Sequence, residues 1–148
     1  MSIPRPNGKG AKDRVTVPCG KCLECLSANR QSWSFRLTKE LKTSSSAVFV
    51  TLTYEDAKLP LQKNDDGMLT PTVEKRDIQT FLKRLRKKFP SSGIRYYLTA
   101  EYGPKTHRPH YHAIIFNLPF TEASNQIKLT DILIETWQNG HIYRDWET

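Results

Sequence analysis

The sequence predicts an α+β domain in which helices pack on a central antiparallel sheet. Three observations predict it. Residues 23–42 and 74–89 carry apolar side chains at helical spacing. The stretches AVFVTLTY, IRYYLTAEY and HYHAIIF are β-branched, aromatic and almost uncharged, as strands are. The last two are joined by a link too short for a crossover, so they pair as an antiparallel hairpin.

Each element follows in order. Pro4, Pro6, Gly8, Gly10 and Pro18 stand among basic residues, so residues 1–18 are expected to form a flexible basic arm. Leu26, Trp33, Leu37 and Leu41 mark an amphipathic helix, with Arg30, Arg36, Lys39 and Lys42 on its other faces. Ser44, Ser45 and Ser46 break it. AVFVTLTY then reads as a buried strand near the middle of its sheet. Pro60, Asn64-Asp65-Asp66-Gly67 and Pro71 mark a loop or a short hairpin. Ile78, Phe81, Leu82, Leu85 and Phe89 form the stripe of a second helix, which ends at Pro90-Ser91-Ser92-Gly93. The hairpin of residues 94–116 follows, its link running from Gly103-Pro104 to Pro109. Thr121 to Trp137 reads as a third helix with Ile127, Ile132, Leu133 and Trp137 in it, stopped by Asn139-Gly140. HIYRDWET begins a last strand. Without the first helix the order is β-α-β-β-α-β, the ferredoxin-like split.

The chain has 148 residues, enough for one domain with a real core, expected over residues 19–148. Lys plus Arg number 23 against 15 Asp plus Glu, a net charge of +8. That balance suits a polyanion such as nucleic acid, and also an unspecialised basic surface. No apolar run approaches the roughly 18 residues that span a bilayer, and the N-terminus lacks the apolar stretch of a secretory signal. A cytoplasmic protein with no membrane partner is expected. The three cysteines lie together, which is not the pattern of a disulfide framework.

Two clusters could do chemistry. His110 and His112 are two apart on a strand, so both imidazoles leave one face with Cα atoms about 6.5–7 Å apart. Alone, such a pair also fits surface or hydrogen-bonding histidines. Closing the hairpin brings Glu101 beside them. Two imidazoles and a carboxylate suit a divalent metal, Mg²⁺ or Mn²⁺, able to polarise a phosphate. The strand is apolar on both sides, which puts the histidines at the edge of a buried sheet. Cys19, Cys22 and Cys25 could take three positions on a structural Zn²⁺, or pack as small apolar residues at a helix start. Lys83, Arg84 and Lys87 on the second helix, and Arg108 in the hairpin link, are candidate phosphate contacts.

AVFVTLTYED and LTAEYGPKTHRPHYHAIIF resemble the first and second motifs of the HUH endonucleases, U being a hydrophobic residue. PCGKCLEC, FLKRLRKKF and HRPHYHAIIFNLP resemble, more narrowly, the replication initiators of gokushovirus-type microviruses and the gene-II-type proteins of filamentous phages. The likeness covers roughly residues 18–142. It implies a ferredoxin-like fold and rolling-circle initiation. Glu101, His110 and His112 would be the metal ligands, and residues 49–54 would line the DNA site. A tyrosinate would attack the phosphate, leaving a 5′-phosphotyrosine and a free 3′-OH. The implied partners are single-stranded or hairpin DNA at a replication origin and the host helicase or polymerase.

The sequence departs from the family at the nucleophile, expected as Tyr-x-x-x-Lys on a helix after the histidines. Tyr143 is the only tyrosine after His112, and Glu147 stands where the lysine would be. Tyr54-x-x-x-Lys58 fits the letters but precedes the histidines, and is read as coincidence. The chain is therefore expected to be truncated, with Tyr143 as the weak nucleophile candidate. Two other functions remain open: a DNA-binding module lacking the nucleophile, and an RNA-binding ferredoxin-like domain that would leave the convergence of Glu101, His110 and His112 unexplained.

Overall fold

The computed structural model describes residues 2–4, 14–119 and 123–144. The chain divides into two compact units, Met1–Glu40 and Leu41–Thr148, so the boundary falls late in the first helix rather than at residue 18.

In the first unit, β1 (Ser2–Pro4) pairs antiparallel with β2 (Arg14–Thr16). The expected arm is extended at both described ends, but paired; residues 5–13 lie outside the described residues. Helix α1 (Leu23–Thr43) forms where its Gly- and Pro-free run predicts it. Its expected packing does not form. No residue of α1 is buried, and Leu26, Trp33 and Leu41 are well exposed. Leu23 and Phe35 lie off the Leu26–Leu41 stripe, which leaves no single apolar face. Cations cover two of the rings instead: Arg36 sits 5.1 Å from the Trp33 ring centre and Lys39 5.3 Å from that of Phe35.

The second unit is built on β3 (Ala47–Thr53), β6 (Arg95–Tyr102), β7 (Pro109–Phe116) and β8 (Ile142–Arg144), in the order β6-β7-β3-β8 with every pairing antiparallel. Helix α2 (Lys75–Lys88) follows β3, and α3 (Ala123–Trp137) follows β7. This is the ferredoxin-like order that the sequence implies. The expected helix start at Thr121, the side chain of Ile127 and residues 145–148 lie outside the described residues. Between β3 and α2 the chain makes a 3₁₀ turn, Asp56–Lys58, and a hairpin of β4 (Leu61–Lys63) with β5 (Leu69–Pro71). Asn64 closes that hairpin by accepting the Met68 N–H on Oδ1 at 2.8 Å, and Gly67 takes φ +78° there.

Alternation sorts the sheet into two faces. Val50 and Leu52 of β3 and Tyr111, Ala113 and Ile115 of β7 point to one side. There they form a single core with Ile78, Phe81, Leu82 and Leu85 of α2 and Leu129, Leu133 and Trp137 of α3. Trp137 is its hub. Its ring centre lies 5.3 Å from that of Tyr54, 5.9 Å from Phe81 and 6.0 Å from Tyr111, and its Nε1–H donates to the Thr53 carbonyl at 2.9 Å. Both helices of this unit therefore pack on one face.

Glycine is required where β8 begins. A Cβ on Gly140 would run into the carbonyl oxygen of Thr53 and the backbone nitrogen of Glu55. The close approach lets the Thr53 and Glu55 N–H groups reach the carbonyls of His141 and Asn139 at 2.9 and 3.0 Å.

Candidate functional site

The face without helices carries the candidate ligands. Register places Glu101 opposite His110, and His110 opposite Thr53. One step along, Thr99, His112, Thr51 and Tyr143 form a row across all four strands. The expectation of histidines at the edge of a buried sheet is corrected. They stand on a central strand, half-buried, on the open face. The apolar residues Phe49 and Ile114 on that face are left uncovered by α2 and α3, which use the opposite side.

His112 is held by two neighbours on β3. Thr51 Oγ1 lies 3.0 Å from its Nδ1, and the Phe49 ring stacks on it at 5.9 Å with 14° between planes. In the tautomer that donates Nδ1–H to Thr51, Nε2 keeps its lone pair. Glu101 Oε1 stands 3.5 Å from that Nε2. A carboxylate and an imidazole nitrogen are thus already adjacent, with a hydroxyl behind the ring, as in sites where an outer partner orients a metal-binding histidine. His110 is placed differently. Its ring lies over Gly103, where an added Cβ would come within 3.1 Å of Cε1. Glu101, His110 and His112 share one face, but among the described residues only the cysteines bring three donor atoms within 4.8 Å of one another. The donor types suit a hard divalent cation.

Beneath the site, Tyr111 is buried between the histidines. Its hydroxyl accepts the Glu74 N–H at 2.7 Å and lies 3.2 Å from the Tyr54 hydroxyl, which donates to Asp77 at 2.8 Å. Burial raises both phenols above their ordinary values. Neither is a tyrosinate near neutral pH, so Tyr54-x-x-x-Lys58 is structural. Lys58 itself pairs with Glu55 at 2.7 Å. Tyr143 is the opposite case: exposed, on the histidine face, and two strands from His112, or about 10 Å between backbones.

The expected phosphate contacts do not gather at this face. Arg108 is engaged inside the fold, bridging Asp56 and donating to the Tyr54 carbonyl at 2.8 Å. Lys83, Arg84 and Lys87 lie on α2, which covers the other face of the sheet. Arg84 donates to the Thr136 carbonyl at 3.3 Å, while Lys83 and Lys87 are exposed.

Cys19, Cys22 and Cys25 gather at the start of α1, their sulfurs within 4.8 Å of one another, an arrangement that could hold a metal ion. The Lys21 and Cys22 N–H groups donate to Cys19 Sγ at 3.4 and 3.3 Å. These two amides, with smaller help from the neighbouring thiols, lower the Cys19 thiol to about 7.

Sequence reasoning missed Thr51 and Gly103. No described helix is long and apolar enough to cross a membrane.

Known proteins share these features. Residues 47–147 match the family model of replication-associated protein ORF2 and gene II protein. The chain is 35% identical over 136 residues to replication-associated protein ORF2 of Spiroplasma virus 4, covering 89% of this chain and 41% of that protein. It is 30% identical over 140 residues to replication-associated protein VP4 of Bdellovibrio phage phiMH2K, covering 84% of this chain and 42% of that protein. Replication-associated protein ORF4 of Chlamydia phage 1 is 30% identical over 147 residues, covering 89% of this chain and 35% of that protein. The chain thus spans about two fifths of the length of these relatives. No solved structure gives a significant match.

Proposed function

The chain belongs to the family of replication-associated protein ORF2 and gene II protein, and from that membership we propose that it carries the metal-binding part of a nickase that starts rolling-circle replication of a single-stranded DNA phage. The observation that carries the proposal is the open sheet face on which Glu101 stands 3.5 Å from His112 while Thr51 holds the other ring nitrogen. Glu101, His110 and His112 would hold Mg²⁺ or Mn²⁺, which supplies Lewis-acid polarisation of a phosphate when bound. The chain's own residues do the rest. Phe49 and Thr51 keep His112 in one orientation. Tyr111, buried and hydrogen-bonded, keeps both histidines on the outer face. The open face receives single-stranded DNA, with Phe49 and Tyr143 exposed for stacking.

The nucleophile is assigned to Tyr143, the exposed phenol in register with Thr51 and His112. It would attack the scissile phosphorus, forming the phosphotyrosine bond as the 3′ oxygen leaves with the electron pair. Incubation with labelled origin oligonucleotide and Mn²⁺ tests this on a denaturing gel. A covalent adduct is expected, lost in Tyr143→Phe and in His112→Ala. Metal-dependent DNA binding without any adduct would instead make these residues a binding module. That second reading is favoured by Glu147, where the family's Tyr-x-x-x-Lys motif has lysine.

A further inference from the structure

The three thiols of the first unit take no part in the proposed nicking chemistry. Cys19, Cys22 and Cys25 recur every third residue through the turn that enters α1. Cys19 Sγ and Cys25 Sγ are 3.8 Å apart. That separation matches the edge of a tetrahedron around one ion: with Zn–S bonds of about 2.3 Å, two thiolates on zinc stand ~3.8 Å apart. A cubane cluster places each thiolate on a different iron and spreads the sulfurs further. A disulfide needs the sulfurs at about 2.05 Å and would strand the third thiol.

The backbone is shaped for the same end. Gly20 takes φ +75°, which turns the chain so that the Lys21 and Cys22 N–H groups face Cys19 Sγ. Hydrogen bonds of this kind favour a thiolate over a thiol. The sulfurs open onto a cleft of about 670 Å³ lined also by Val17, Pro18, Ala28 and Asn29, which gives an ion a way in. There is also a structural need. α1 buries none of its residues, so its first turn has no apolar packing to hold it.

We propose that Cys19, Cys22 and Cys25 bind a single Zn²⁺ ion as three thiolates, with a fourth position for water or a donor from outside the turn. Binding displaces the thiol protons to solvent and changes no oxidation state. The ion ties residues 19–25 into one closed loop and fixes the start of α1.

The test uses the whole chain, reduced and stripped of metal, titrated with Co²⁺ as the probe. A thiolate-to-cobalt charge-transfer band is expected, saturating at one ion per chain and erased by Zn²⁺. Cys22→Ser is expected to weaken binding by roughly tenfold or more. A Glu101→Ala/His112→Ala double variant keeps the band, because carboxylate and imidazole do not produce it; this separates the two candidate sites. The proposal is overturned if the reduced chain gives no thiolate band, or if the band survives replacement of all three cysteines by serine. It is equally overturned if the sulfurs are found on an iron–sulfur chromophore. The wild-type titration needs no variant to fold, so it decides the matter alone.

Discussion

Thr51 and Gly103 set the two histidines in different ways. Thr51 holds the ring nitrogen of His112 that faces away from Glu101. Thr51→Val keeps the strand shape and removes the hydroxyl. Mn²⁺ affinity is expected to fall roughly 10–100-fold with the melting temperature nearly unchanged, by calorimetric titration alongside a thermal melt. Gly103→Ala acts on His110, since the added Cβ lies 3.1 Å from Cε1 and the ring must move. Metal-dependent nicking should drop while circular dichroism stays native; unchanged nicking would remove Gly103 from the account. Cys19 is tested by its titration. Its depressed pKa, about 7, leaves the thiolate populated down to neutral pH. Alkylation of the metal-free chain should slow as pH falls through about 7, and Cys19→Ser should abolish that step. The candidate ligands were legible in the sequence because alternation and one short link suffice to bring Glu101 to the histidines. Thr51 was not, because its partner is 61 residues away and only the β3–β7 register pairs them. The engagement of Arg108 was hidden for the same reason: Asp56 lies 52 residues earlier.

At the scale of elements, helices and strands were read from local pattern, and burial was not. The stripe of α2 is buried as its spacing predicts, because Ile78, Phe81, Leu82 and Leu85 fall on one side of a helix whose other sides are charged. α1 has the same repeat in part, but Phe35 and Leu23 break its single face and no core forms against it. The open side of the sheet was misread because Ile114 and Phe49 look like core residues in a strand, whereas both helices had gone to the other face. The joint between β3 and β8 rests on one glycine. Gly140→Ala is expected to cost about 1–3 kcal/mol, since the backbone of Thr53 and Glu55 must yield to the new methyl group. Denaturant titration measures it, and a loss below a few tenths would show that β8 shifts freely.

For the whole second unit, the positive charge and the candidate metal ligands lie on opposite sides of one sheet. Lys83 and Lys87 therefore should not influence a short oligonucleotide held at the histidines. Lys83→Glu/Lys87→Glu is expected to leave adduct formation on a minimal oligonucleotide intact. If a longer strand wraps onto α2, the variant should flatten its salt dependence, by roughly 0.7 in slope for each phosphate no longer neutralised. Equal losses on short and long DNA would place the lysines at the cleavage face, against the topology.

The tie between the Trp137 indole and the Thr53 carbonyl also sets an order of opening. It fastens the end of α3 to the strand that supports His110 and His112, and it does so from the centre of the core. The amides of β7, bonded to neighbours on both sides, should be the slowest in the chain to exchange their hydrogens for deuterium. The floor of the candidate site would then come apart only when the unit unfolds as a whole. Whatever adjustment DNA requires must come from above that floor, in side chains such as His110 and Tyr143, and not from the sheet.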